Sequence, residues 1–472
     1  MHQPSTQRAR SLDALRGLSI FLMILSSAIP FGVLPAWMYH AQVPPPAHVF
    51  IPTIPGITWV DLVFPFFLFT MGAAIPIALS RRIERGELLW KIIGGLFLRG
   101  LLLAAFAIYD EHIRPYRIDP NGSTQSWLIG LLGFVLLIPM FDRLPGSWSR
   151  ISKYTIKAGS WIGAIILMAL LHYPDGSSFS LYRSDIIILV LSNVAVFGGL
   201  VWLASRENVL VRLSFLGLLI ALRVSSSSMG WVHDLWQSSP VPWLFRFDFL
   251  KYLFIVIPGT IIGDMIVRWM KEPQTGPTHQ GRWSSTQLTV IAVLMVLLNV
   301  VVVVGMKARW LVGTTVGVIL LLLLGLRLFA SPGTGTERFL RQSYQWGAYL
   351  LLLGLFFEPF EGGIKKDPST LSYYFSTGGL AIFALIALMI FVDIFHKGRW
   401  VNVLIESGQN PLIAYAGINN LIRPLLALTG LGALLETLMP TPWLGVIRGL
   451  VVTYLVALSA AVFTKLKIFL RT

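Results

Sequence analysis

Long apolar runs recur along the whole 472-residue chain, broken by short stretches rich in proline, tryptophan, serine and charge. Crossing a bilayer as a helix takes about 20 mostly apolar residues. Candidate spans lie at 14–36, 57–79, 92–109, 126–142, 154–172, 185–204, 209–224, 249–269, 286–306, 310–329, 344–358, 372–394, 409–430 and 443–465. Two of them, 209–224 and 344–358, are short enough to be tilted or re-entrant, so about 11–14 crossing helices are expected. Their even spread predicts one all-α, polytopic transmembrane helical bundle over 1–472. No internal repeat and no separate soluble domain is visible. The segment 270–285 (MKEPQTGPTHQGRWSS) is the most disorder-like piece.

Composition sharpens that picture. The chain is 55% hydrophobic and 12% charged, against about 25% charged residues in a soluble domain. A formal charge of +15 would suggest nucleic acid in a soluble chain, but here its distribution accounts for it. With the N-terminus placed in the cytoplasm, alternate loops collect Arg8 and Arg10, then Arg81, Arg82, Arg85 and Lys91, then Arg268, Lys271 and Arg282, and finally Lys465, Lys467 and Arg471. The opposite loops hold fewer cations. This is the positive-inside pattern, with both termini cytoplasmic, and nucleic acid is not an expected partner. The basic start MHQPSTQRARSLDALRG is followed by no small-residue cleavage site and leads into a retained first transmembrane helix. The chain has no cysteine, which excludes disulfides, thiolate metal sites and a cysteine nucleophile. No metal is expected.

Candidate chemistry concentrates in 37–72, WMYHAQVPPPAHVFIPTIPGITWVDLVFPFFLFTMG. A proline-stiffened loop carries His40 and His48, two of the eight histidines. Histidine titrates near neutral pH and can act as general base or acyl-accepting nucleophile. It is also an ordinary hydrogen-bonding surface residue, and both readings stand for both histidines. Asp61 follows at the entrance to the next apolar run. An ionisable group in a membrane span is a functional hypothesis by default, although beside Thr58 it also suits a helix cap. At the far end of the first span, SLDALRG (11–17) places Asp13 in the first helical turn and Arg16 three residues on. The two can pair along the helix, or Arg16 can face a phosphate at the mouth of a cavity. KKDPSTLSYYFSTGG (365–379) and GQNPLIAYAGINN (408–420) add hydroxyls and amides, which inside a bundle serve as helix–helix glue or line a polar interior.

Taken together, RSLDALRGLSIFLMIL, a loop histidine and GITWVDLVFPFFLFTMG resemble heparan-α-glucosaminide N-acetyltransferase and its bacterial homologues, within the wider transmembrane acyltransferases. LSYYFSTGGLAIFALIALMIFVD and GQNPLIAYAG are similar to later helices of that family, and RGLLL (99–103) is weakly similar to its third. The motif-bearing parts are 8–80 and 358–430. The resemblance implies transfer of an acetyl group from cytoplasmic acetyl-CoA to an amino or hydroxyl group of a sugar on the other side of the membrane. It implies a loop histidine as the essential group. His40-Ala41 matches the family's His-Ala pair, while His48 lies closer to Gly56 and fits the spacing; both stay open. The family's tryptophan after the histidine is absent. By the same carry-over Asp61 would orient the histidine, Arg16 with Asp13 would hold donor phosphates, and Asn410 and Ser372 would contribute to the donor site. Expected partners are the bilayer and a glycan or amino-sugar acceptor, with a homodimer allowed for. The expected location is the cell inner membrane. The alternative from a different class is a transporter or flippase for a sugar-linked or lipid-linked substrate, since apolar spans with intramembrane carboxylates also suit a carrier.

Overall fold

The computed structural model describes residues 9–142, 148–272 and 283–470. Arg8, Arg282, Arg471 and most of the 270–285 loop lie outside the described residues. The described residues form helices and connecting loops, with no β-strand among them. In chain order the helices are α1 (Arg10–Ala28), α2 (Trp59–Glu84), α3 (Leu89–Ile113), α4 (Pro115–Ile118), α5 (Thr124–Phe141), α6 (Arg150–Leu170), α7 (Ile186–Ser205), α8 (Val209–Ser225), α9 (Trp231–Gln237) and α10 (Leu253–Lys271). They continue as α11 (Ser285–Ala308), α12 (Leu311–Leu328), α13 (Gly335–Phe360), α14 (Leu371–Met389), α15 (Asn402–Gln409), α16 (Pro411–Gly417), α17 (Arg423–Leu428), α18 (Leu431–Leu438) and α19 (Pro442–Lys465).

Among the described residues, ten helices are long and apolar enough to cross a membrane, or eleven if the pair 411–428 and 431–438, bent by 82°, counts as one broken span. The chain is thus an all-α, multi-pass membrane protein. The expected spans 154–172, 209–224 and 344–358 all form helices, but these fall outside the ten. Each has a local reason. α6 begins with Arg150, Lys153 and Lys157; α8 has 17 residues; α13 starts on a charged turn with Glu337, Arg338 and Arg341.

Small residues set the closest helix contacts, because lipid-facing helices associate through packing rather than through exclusion of water. A Cβ on Gly72 of α2 would lie 2.3 Å from the Val256 carbonyl oxygen of α10, and one on Gly17 of α1 would sit 1.8 Å from the Leu404 carbonyl oxygen of α15. These two contacts fix α1 and α2 against their neighbours. They thereby set the heights of Arg16 and Asp61 in the bundle.

Candidate functional site

The loop between α1 and α2 folds back over one end of the bundle. Tyr39 anchors it: its hydroxyl donates to the Pro30 carbonyl at 2.7 Å and accepts the Leu34 N–H at 3.0 Å. Tyr39 and Met38 pack with Ile29 and Leu34 in a small apolar cluster of their own. The next residue, His40, is thereby set over the first turn of α2.

Asp61 is the third residue of α2 and is fully buried. Its Oδ2 accepts the Thr58 N–H at 2.9 Å and the Ala41 N–H at 3.2 Å. A carboxylate here is favoured by the helix dipole and satisfies amides that the helix start leaves over. That is the capping role, and it uses only one oxygen. The other, Oδ1, has no hydrogen-bond partner and lies 3.4 Å from Nε2 of His40. A second carboxylate oxygen, Oδ2 of Asp367, lies 3.8 Å from the same Nε2.

The tautomer of His40 follows from its other nitrogen. Nδ1 accepts the Gln42 N–H at 3.0 Å, so a neutral ring carries its proton on Nε2, between the two carboxylates. Gln42 is fully buried and locks the loop across the bundle end. Its side-chain amide donates to the carbonyls of Pro52 and Asp367, and its Oε1 accepts the Asp367 N–H at 2.9 Å. From α14, the Tyr373 hydroxyl donates to the Asp61 carbonyl at 2.7 Å. The N-terminus of α14 is held in turn by Glu361, which accepts the N–H groups of Leu371 and Ser372 at 2.9 and 2.8 Å. The arrangement resembles the carboxylate–imidazole part of a catalytic triad with the ring nitrogens exchanged. Carboxylates face Nε2–H, and Nδ1 holds the lone pair.

His48 is placed elsewhere. Its ring lies against Phe31, tilted by 32° with centroids 3.7 Å apart, and meets Tyr39 edge-on at 4.5 Å. Both its ring nitrogens are buried without a hydrogen-bond partner, and its backbone takes a left-handed φ of 47°. It wedges the loop from the far side of Tyr39 and does not meet Asp61.

The residues expected at the donor site divide into three places. Asp13 and Arg16 stay together at the other end of α1, 3.8 Å apart. Arg16 also donates to the Thr70 carbonyl of α2 at 3.2 Å and to the Gly408 carbonyl at 3.4 Å. Asn410 lies just beyond Gly408, but its amide bonds Ile468 and Leu470, pinning the C-terminal segment. Ser372 sits at the His40 end, buried against Gly354 of α13, with its hydroxyl unpartnered. Along α2, Asp61 and Thr70 are nine residues apart, about 14 Å of helix rise. An apolar cavity occupies the space between these levels, with Ser19 and Ile20 on its inner wall and Val60 and Lys366, the chain neighbours of Asp61 and Asp367, on its outer one.

A second polar cluster at the same end was not foreseen as a unit. Arg114, just past α3, contacts Asp110 at 2.7 Å, Glu111 at 2.6 Å and Asp185 at 2.6 Å. Tyr415 donates to Asp185 and Asn420 to Asp110, at 2.6 and 2.9 Å. Burial alone would push the Arg114 guanidinium down, but Asp110 and Asp185 outweigh it and hold the group above its ordinary value. Sequence reasoning also passed over Gln42, Asp367 and Tyr373. Asp367 and Tyr373 lay within the hydroxyl-rich 365–379 stretch; nothing local marked Gln42.

Fold and site together define a multi-pass helical membrane protein with a carboxylate-flanked histidine at one end. The chain belongs to the family described as a domain of unknown function (DUF5009), whose model matches residues 8–266. It is also similar to two curated proteins named heparan-alpha-glucosaminide N-acetyltransferase. The human one is 30% identical over 195 residues, covering 36% of this chain and 27% of that protein. The mouse one is 29% identical over 112 residues, covering 23% of this chain and 15% of that protein. The matched part thus spans about a quarter or less of these relatives.

Proposed function

We propose that the chain is an acetyltransferase of the membrane, passing an acetyl group from acetyl-CoA to an amino or hydroxyl group of a sugar or glycan. The observation that carries this reading is His40, whose Nε2–H lies between Asp61 and Asp367 while Nδ1 rests on a single loop N–H. The names of the relatives agree with it. In a direct route, Nδ1 leaves the Gln42 N–H and takes the proton from the acceptor as its nitrogen or oxygen attacks the thioester carbonyl. The carbon–sulfur bond breaks, and the imidazolium returns that proton to the departing thiolate. In a two-step route, Nδ1 itself attacks the carbonyl and CoA leaves as thiolate; the acceptor then attacks the acetyl group, the bond from Nδ1 to the acetyl carbon breaks, and the acceptor's proton passes to the thiolate. In both routes Nδ1 gains a bond and the ring becomes cationic, a state the two carboxylates stabilise. His48 is a support for the loop.

The cations at the Arg16 end support a sidedness with both termini in the cytoplasm, the donor on that face and the acceptor on the His40 face. The whole of 1–472 acts as one unit in the cytoplasmic (inner) membrane. The test is purified protein in lipid nanodiscs with radiolabelled acetyl-CoA and a panel of amino sugars and glycans. Acetyl transfer that disappears in His40→Ala supports the reading. No transfer, no hydrolysis and no acetyl-CoA binding would overturn it and favour a carrier.

A further inference from the structure

α8, α10 and α13 border a groove of about 600 Å³, within the roughly 300–1,000 Å³ of ligand pockets. Helical spacing brings one face of each helix to it. On α10, Ile261, Met265 and Arg268 recur at i, i+4 and i+7; on α8, Val209 and Leu213 stand one turn apart. On α13, Gln342 and Gln345 are followed by Trp346 and Tyr349, whose rings meet edge-on at 6.1 Å. Side-chain contacts fix the register. Trp269 donates to the Thr336 hydroxyl at 3.0 Å and lies against Phe339 with ring centroids 5.9 Å apart, so the last turn of α10 meets the start of α13. Arg212 closes the α8 side through Asp264 at 2.6 Å and Thr260 at 3.3 Å. Arg268 therefore stands at the mouth, in the last turn of α10, with Ile261 about 10 Å of helix rise deeper. The groove is polar at its mouth and apolar along its floor.

Its polar side chains are all donors without acceptors. Among the described residues, Arg268, Gln342, Gln345, Trp346 and Tyr349 make no side-chain hydrogen bond and no ion pair. No carboxylate lines the groove. Those at the same end are engaged elsewhere: Asp264 with Arg212, Glu84 with Lys271 and Glu272 with Arg338. Glu337 accepts the N–H groups of Trp283 and Thr334. Donors left over at the edge of a hydrocarbon layer are costly until an acceptor reaches them.

We propose that this groove holds an anionic glycerophospholipid, its phosphodiester at Arg268 and an acyl chain along Met265, Ile261 and Leu213. A phosphodiester and its glycerol esters offer acceptors only, and a guanidinium fork matches phosphate oxygens two at a time. Nothing in the groove balances the Arg268 charge, so a headgroup of net negative charge is favoured over one that carries its own ammonium. Trp346 and Tyr349 suit the level of the glycerol esters, where aromatic rings with a polar edge collect. Basic clefts between membrane helices hold anionic headgroups in this way. None of these residues belongs to the His40 cluster or to the apolar cavity beside it, and the site does not rest on acetyl transfer.

The experiment is native mass spectrometry of full-length protein released from nanodiscs of equimolar phosphatidylglycerol and phosphatidylcholine. Wild type retains phosphatidylglycerol over phosphatidylcholine by at least about tenfold, and Arg268→Gln brings the preference to within about twofold. Arg268→Lys falls between, since charge remains and the fork is lost. Arg341→Gln, which removes an exposed cation of the same end that does not line the groove, keeps the wild-type preference. Leu213→Trp, which fills the floor, retains less of either lipid. In phosphatidylcholine discs Arg268→Gln melts with wild type, because no protein contact is removed; in phosphatidylglycerol discs only wild type gains in thermal midpoint. No preference in wild type, or one that Arg268→Gln leaves unchanged, overturns the proposal. Equal losses in Arg268→Gln and Arg341→Gln overturn it as well, since the effect would then be one of surface charge. Wild-type retention by a folded Leu213→Trp overturns the placing of the chain in the groove.

Discussion

The two polar clusters at the His40 end are built from the same kinds of residue and completed to different degrees. Around Arg114, three carboxylates, a tyrosine and an asparagine close on one another at 2.6–2.9 Å. That cluster joins α3, α7, α16 and the turn after α16, and it is bonded like a structural joint. Around His40, the carboxylate oxygens stand at 3.4 and 3.8 Å, Asp61 keeps one oxygen unpartnered, and a single loop N–H occupies the ring's lone pair. The second cluster is left open at the point where a substrate would complete it.

Breaking the two clusters should therefore give opposite signatures. Asp61→Asn is expected to lower acetyl transfer by about 10,000-fold, the scale of loss when the carboxylate beside a catalytic imidazole is replaced by its amide. It should cost only about 1 kcal/mol of stability, the worth of a helix cap; transfer assays beside a denaturation curve check both. Arg114→Leu should do the reverse. Leaving three carboxylates without their cation is expected to cost about 3 kcal/mol, visible as a lower thermal midpoint, with kcat in the surviving folded fraction within a few-fold of wild type. Asp367→Asn, which removes the half-exposed second carboxylate, should lower kcat about tenfold and leave the thermal midpoint unchanged. A variant of Arg114 that kept its stability and lost its turnover would collapse the distinction.

The fold was legible because apolar runs of the right length are what a bilayer selects, and the ends of α2, α3, α7, α11 and α14 fall close to their expected limits. Crossing count was less so, because α6, α8 and α13 trade apolar length for charge or brevity, and nothing local decides how such a helix meets the membrane. The capping place of Asp61 was legible, since Thr58 and the helix start are adjacent in sequence. The choice between His40 and His48 was not. It depends on Gln42 reaching Asp367, 325 residues away, and on Phe31 and Tyr39 enclosing His48. Sequence spacing favoured the histidine nearer Gly56; the loop instead doubles back and brings the farther one to Asp61. Asn410 and Ser372, read from the resemblance as donor contacts, pack against the C-terminal segment and against α13, which spacing alone does not reveal.

The account turns on which histidine reacts. Transfer of labelled acetyl from acetyl-CoA by His40→Ala and His48→Ala, purified side by side with wild type and normalised to folded protein, tests it most directly. The expected result is loss of at least about 100-fold in His40→Ala, the scale of a general acid–base group, and activity within about threefold of wild type in His48→Ala. Full activity in His40→Ala, or loss confined to His48→Ala, would contradict the account.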